Sequence, residues 1–274
     1  MSMINLKNQL ELEGNSLYRF EPDCCQRIEA LQEGKFYISN PKNFNDPLDL
    51  SLSIKDFSYR SLNEDKFKKI VKFIYEEKLF DKFYIFNDEI IRKIISWSQD
   101  DSIEDLTTII ELVKERILNF GVQCFSLGYN IPLQWSHYSK SHKGFCIEYN
   151  VRLMDLVEKN KGFACYQVTY TNKLPEVCIS EALFTPHQVM EKLLATKTLE
   201  WAYEQEIRII NFEKQGQSVD MPIGLSIKSL IAGANMEPKH LTLLKKMGEK
   251  LGVPVYQMKR GKNDFDPLWS REEL

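Results

Sequence analysis

Apolar and polar positions alternate in short bursts along this chain, and their spacing separates strand from helix. A period of two puts every second side chain on one face of a strand, whereas apolar residues three and four apart line one face of a helix. Leu17 to Phe20 reads as a short strand. Pro22 and Asp23 open a helix that runs to about Gln32 and stops at Gly34, since Pro suits a first helical turn and Gly the residue past the last. Lys35 to Ser39 is a second strand, ended by Asn40-Pro41. Phe44-Asn45-Asp46-Pro47-Leu48-Asp49 is a turn, because a residue before Pro avoids helical backbone and Asn and Asp bond their own backbone. Residues 62–119 are helical. Phe67, Ile70, Val71, Ile74 and Tyr75 form one stripe. Leu106, Ile109, Ile110, Val113 and Ile117 form another, between a Ser102–Asp105 cap and Gly121.

The second half is richer in strands. Gly121 to Ser126 and Gly144 to Tyr149 are apolar and β-like, and Ala164 to Thr171 alternates with Tyr166, Val168 and Tyr170 on one face. Thr185-Pro186 begins a helix reaching about Tyr203, and Glu206 to Phe212 is a strand. Ile227 to Ile231, a helix over 238–250 and Val253 to Met258 make a strand–helix–strand unit, and the polar tail after it reads as loose. Eight strand-like runs without a linker or repeat predict an α+β fold. It is a single domain over residues 1–274 with a mixed twisted sheet and a helical insertion at about 62–119.

Composition narrows the classes. Hydrophobic residues are 43% and charged residues 27% of the chain, enough for a packed core. The net charge of -3 gives none of the basic excess that binding to nucleic-acid phosphates demands. No apolar run approaches the ~20 residues that span a bilayer, and the first residues lack a basic-then-apolar leader. The expected location is cytoplasmic, with no membrane partner. Of the six cysteines, Cys124, Cys146 and Cys165 lie in apolar strand-like runs and no C-x-x-C pair occurs, the usage of reduced core thiols.

Three segments combine aromatic, polar and turn residues that packing does not require. They are Tyr18-Arg19 with the FNDPLD turn, Cys124-Phe125-Ser126 with Trp135-Ser136-His137-Tyr138 and Lys143-Gly144-Phe145, and Trp201 to Arg208. His137 and His142, five apart, do not share a helical face, so they do not form a zinc pair. On a strand, Glu204, Glu206 and Arg208 would project from one face and need water, a partner or a ligand.

The strings LYRF, FYISNPKNFNDPLD, CFS, WSHY, KGFCIEY, VTY and WAYEQEIRI, followed by a strand like SIKSLIAG, in that order from about residue 16 to 258, resemble the bacterial domain-of-unknown-function family numbered 2971. That resemblance implies a bacterial or phage origin and a shared fold, and carries no activity with it. The order Arg19, Ser126, Glu204-Gln205-Glu206 also resembles the arginine–serine–glutamate group of ADP-ribosyltransferases. The serine segment departs from their Ser-Thr-Ser, and Ser39 competes for the role.

On that resemblance Glu206 steadies the ribose oxocarbenium charge and Glu204 orients or deprotonates the acceptor. Arg19 clamps a pyrophosphate, and Trp135 or Tyr138 stacks on nicotinamide, with Asn45 and Asp46 at the same site. NAD is then a substrate, the acceptor is an unspecified macromolecule, and no metal is expected. Two other readings stay open. One is an Mg²⁺-dependent nuclease or phosphoesterase on Asp46, Asp49, Glu204 and Glu206 with His137 or Lys143. The other is a non-catalytic nucleotide- or protein-binding module around Trp135, Tyr138 and Trp201.

Overall fold

The computed structural model describes residues 4–5, 16–22, 25–51, 53–54, 69, 88–100, 103–178, 181, 185–261 and 269–274. In chain order the strands begin with β1 (Ile4–Asn5), β2 (Ser16–Glu21), β3 (Lys35–Ile38), β4 (Ser53–Ile54), β5 (Gly121–Ser126), β6 (Phe145–Val151), β7 (Phe163–Gln167) and β8 (Thr169–Thr171). They continue with β9 (Glu176–Val177), β10 (Thr196–Thr198), β11 (Glu206–Asn211), β12 (Gln217–Asp220), β13 (Leu225–Ala232), β14 (Val255–Arg260) and β15 (Trp269–Glu273). The helices are α1 (Cys25–Ala30), α2 (Asp88–Asp100), α3 (Ile103–Leu118), α4 (Pro132–Tyr138), α5 (Leu153–Glu158), α6 (Pro186–Leu194) and α7 (Pro238–Leu251).

The fold is α+β. Among the described residues a nine-stranded mixed sheet runs in the order β1-β7-β11-β5-β2-β6-β13-β14-β15. Within it only β1–β7 and β13–β14 are parallel. Seven of the eight strands expected from the sequence lie in this sheet. The eighth, β3, pairs instead with β12 and touches the main sheet through a bridge from Ser39 to Val122.

Three other expectations change. The run 164–171 breaks at Val168, where Thr169–Thr171 leaves the sheet to pair with β10. The helix opened by Pro186 ends at Leu194, and Thr196–Thr198 is a strand followed by a 3-10 turn over Leu199–Glu204. β-branched Thr196 and Thr198 favour that extended backbone. The tail is not loose: Trp269–Glu273 pairs antiparallel with β14. The stripe on Phe67, Ile70, Val71, Ile74 and Tyr75, the cap at Ser102 and the helix opening at Asp23 lie outside the described residues.

Both sheet faces are covered. On one, Leu17, Phe125, Ile147, Tyr149, Ile207 and Ile209 pack with Ile28 of α1, Leu153 and Leu156 of α5, and Leu244 and Met247 of α7. The other face is covered in two separate pieces. Ile94, Ile109, Val113 and Ile117 of α2 and α3, with Leu193 of α6, pack on Val122, Tyr166 and Ile210. Trp135 packs with Tyr18, Cys146, Ile231 and Met258. Between the two pieces the same face carries Ser126, Cys124, Glu206 and Arg208, placed by the registers Glu206↔Ser126 and Arg208↔Cys124. The interruption of the apolar layer locates the site.

A second polar group closes the far half of that face. Glu148 is 1% exposed and its carboxylate accepts from Ser16 Oγ at 2.6 Å, Tyr18 OH at 3.2 Å, Ser229 Oγ at 2.6 Å and Arg271 at 2.6 Å. Lys228 Nζ lies 2.8 Å away. Burial opposes ionisation, yet the hydrogen bonds from Lys228, Ser16, Ser229 and Arg271 hold Glu148 down to about 2. A depressed carboxyl contributes stability above its unfolded pKa and loses it as pH falls through the folded one. We therefore expect stability to fall from about pH 4.5 towards pH 2 as this contribution goes. Glu148→Gln should cost ~3 kcal/mol at pH 7, at the low end for breaking a buried pair because Lys228 and Arg271 can turn to water. Urea unfolding at pH 7 and pH 3 checks both, since the difference between variant and wild type must shrink at the lower pH.

Candidate active site

β2 and β5 are neighbours in the sheet, yet they pair at one position only, Tyr18 opposite Ser126. Towards Glu21 and Gln123 the two strands part, and Val122 exchanges two backbone hydrogen bonds of 3.0 Å with Ser39 instead. A cavity of about 390 Å³ occupies this opening, within the ~300–1,000 Å³ of ligand pockets. Its walls include Arg19 and Glu21 of β2, Ser126 and Gln123 of β5, Asn45 and Asp49 of the FNDPLD turn, Gln134 and Tyr138 of α4, Lys197 of β10, and Glu204 and Glu206.

The register decides which side chains share a face. Tyr18, Ser126 and Glu206 lie in one cross-strand row, so they project together. Arg19, one residue on, belongs to the opposite face and meets the cavity through the parting of the strands. Its Nε lies 2.6 Å from Glu21 Oε1, and a terminal nitrogen donates to the Tyr37 carbonyl at 3.3 Å.

Charge is concentrated at the β11 end. Arg208 has no exposed surface. Its Nε donates to Glu206 Oε1 at 2.8 Å, and its terminal nitrogens to Asp49 Oδ2 at 2.6 Å and to the Leu194 carbonyl at 3.0 Å. Lys197 Nζ lies 2.6 Å from Glu204 Oε2, 3.3 Å from Glu206 Oε2 and 3.8 Å from Asp49 Oδ2, over the Trp201 ring at 4.6 Å. Tyr138 OH donates to Glu204 Oε1 at 2.8 Å. Glu204 is not on the strand. It ends the 3-10 turn, and Gln205, at φ 47° in the left-handed region, reverses the chain before Glu206, a backbone choice that costs a non-Gly residue on the order of 1 kcal/mol.

Three carboxylates thus share two cations, and they are not held alike. Burial raises the Glu204 carboxyl above the usual glutamate range, and the neighbouring Glu206 charge raises it further. Burial opposes ionisation of Glu206 too, but Arg208 and Lys197 hold it down to about 2. Burial and Glu204 push the Tyr138 phenol well up, so it remains a donor.

Of the residues expected at a site, Arg19, Asn45, Ser126, Tyr138, Glu204 and Glu206 line this cavity, as does Ser39. Trp135 and Asp46 are not on its wall. Trp135 is 1% exposed, donates Nε1–H to the Tyr129 carbonyl at 2.6 Å and stands edge-on to Phe20. Asp46 Oδ1 accepts the Leu48 N–H at 2.9 Å inside its own turn. Ser126 Oγ accepts the Gly128 N–H at 3.1 Å. Asp49, Glu204 and Glu206 do meet, but Lys197 and Arg208 sit among them. Among the described residues no group of three or more His, Cys, Asp or Glu side chains is arranged to hold a metal ion. Lys197, Gln123 and Gln134 escaped the sequence reading. The sequence places Lys197 inside the helix that Pro186 opens, and only Thr-Lys-Thr points to a strand.

Residues 134–209 match the model of a family described as protein of unknown function, DUF2971. The matched segment holds Gln134, Tyr138, Lys197, Glu204 and Glu206 of the cavity wall, and Arg208, which pairs with Glu206. No curated protein and no solved structure matches the chain.

Removing Lys197 leaves Asp49, Glu204 and Glu206 to Arg208 alone. Lys197→Met should destabilise by ~3–5 kcal/mol near pH 7.5. Without the ammonium the folded Glu204 carboxyl, already raised by burial and by Glu206, titrates higher still than when unfolded, so stability is present below the unfolded pKa and lost as pH rises through the folded one. The deficit relative to wild type must therefore narrow at pH 5. Urea midpoints at the two pH values decide it, and a constant deficit would assign Lys197 a packing role instead.

Proposed function

We propose that this cavity cleaves the nicotinamide–ribose bond of a nicotinamide dinucleotide and passes the ADP-ribosyl group to an acceptor, as ADP-ribosyltransferases do. The observation that carries the reading is the convergence of Arg19, Ser126, Glu204 and Glu206 on one cavity where β2 and β5 part. The unequal carboxyls support it. An oxocarbenium ion needs a carboxylate that stays ionised throughout, and Glu206, paired with Arg208 and Lys197, suits that need. An acceptor needs a base that can take up a proton near neutral pH, and Glu204, with its raised carboxyl, suits that one.

The bond from the ribose anomeric carbon to the nicotinamide nitrogen breaks, its electron pair leaving with nicotinamide. The acceptor's lone pair bonds to the same carbon, and the acceptor's proton passes to Glu204. The Arg19 guanidinium, on the opposite wall, takes the pyrophosphate. Tyr138, rather than Trp135, offers the ring beside nicotinamide.

Glu206→Gln removes the permanent charge, and nicotinamide release should slow by ~100-fold or more. Glu206 is 3% exposed and paired twice, so the melting temperature should fall as well. Glu204→Gln copies the protonated carboxyl and should melt near wild type. It should lower transfer more than hydrolysis, and it should abolish the rise of transfer with pH through the Glu204 ionisation. The assay is nicotinamide release from NAD with and without candidate acceptors, with melting curves as control. Wild type that releases none with any acceptor refutes the reading.

A further inference from the structure

Two side chains on the cavity wall are buried with an acceptor left over. Gln134 and Gln123 are each 4% exposed, and the Oε1 of each has no hydrogen-bond partner. An orphaned buried carbonyl oxygen is destabilising, and such groups are rare enough to need a reason. Exchanging oxygen and nitrogen in the Gln134 amide does not remove the problem. Its Nε2 donates to the Glu204 carbonyl at 3.1 Å, and the flipped amide would set oxygen against oxygen. That bond fixes the orphan as an acceptor and fixes Gln134 beside the Glu204 segment.

We propose that Gln134 is a specificity-determining residue that takes a hydroxyl of the ligand's ribose. The proposal deepens the reading of the site above and rests on it. The lining near β11 is rich in groups that accept, with Glu204, Glu206 and Gln134 among its residues. Its donors are committed: Lys197 to Glu204 and Glu206, Tyr138 to Glu204. An acceptor-rich wall is matched by a ligand that brings donors, and a furanose with neighbouring hydroxyls presents two side by side. One suits a carboxylate, the other the neutral carboxamide oxygen next to it. A site that buries such an acceptor rejects analogues lacking the donor, because the acceptor is then left unpaired.

The test is calorimetric titration of wild type and Gln134→Met with nicotinamide riboside and with its 2′-deoxy and 3′-deoxy counterparts. Methyl ribofuranoside, a sugar without a leaving base, is a fourth probe. Wild type should bind the full sugar about tenfold more tightly than one of the deoxy sugars. Gln134→Met should bind both alike, at the deoxy level. A merely structural role would weaken all ligands together and leave their ratio unchanged, so a retained preference in Gln134→Met overturns the proposal. So does wild type that binds no ribosyl ligand. If the hydroxyl preference depends on Gln134 but no nicotinamide is ever released from NAD, the sugar site stands and the cleavage reading falls. If nicotinamide is released and the preference survives Gln134→Met, the cleavage reading stands and this assignment falls.

Discussion

Arg208 carries a full positive charge in the middle of a sheet with no exposed surface, and the surrounding segments are arranged to make that tolerable. A buried guanidinium without partners would cost several kcal/mol. Its five N–H groups take Glu206 two residues back on the same strand face, Asp49 from the FNDPLD turn and the carbonyl of Leu194 at the end of α6. Each partner then makes its own demand. Glu206 shares Lys197 with Glu204, and Glu204 accepts from Tyr138 of α4. One charge thus ties a turn, two helices and two strands to the same place. The aromatic and polar strings of the sequence are the visible ends of that arrangement.

Much of this was legible in the sequence, and the reasons for the remainder are physical. Short apolar runs from Leu17 to Met258 located seven strands of the main sheet, because a strand covered on both sides by helices needs apolar residues whichever way it faces. The turn at Asn45–Asp49 and the Glu204-x-Glu206 string stood out because packing has no use for them. Lys197 did not stand out. Nothing local distinguishes a lysine in a surface helix from one in a buried three-residue strand, and the partner that decides is Glu204, seven residues on. The pairing of Lys35–Ile38 with Gln217–Asp220 was equally hidden, since pairing partners so distant in the chain leave no periodic trace. For Trp135 the plainer role of core aromatic describes what its atoms do, and Asp46 Oδ1 is a turn acceptor.

The two buried acidic clusters show how similar residues come to differ in character. Glu148 collects two hydroxyls from serines, one from a tyrosine, and two cations that reach solvent. Its charge is over-compensated and the carboxyl has nothing left to give. Around Lys197 the balance runs the other way, with three carboxylates to two cations, and the excess falls on Glu204, the member without an arginine. A reactive carboxyl needs such a deficit and a structural one avoids it. The difference lies in the count of donors within reach, and both clusters sit on the same face of the same sheet.

The order of the strands also has a kinetic side. Side chains that meet in the fold are remote in the chain: Asp49 and Arg208 are 159 positions apart, and Ser16 and Lys228 are 212 apart. Contacts of such long range require large loops to close before any energy is returned, and folds dominated by them form slowly. Until the last of those closures Arg208, Lys197 and the three carboxylates keep their water, since none has its partner nearby in sequence apart from the short spans 197–204 and 206–208. Desolvation of the cluster and assembly of the cavity therefore coincide, as a late event in folding.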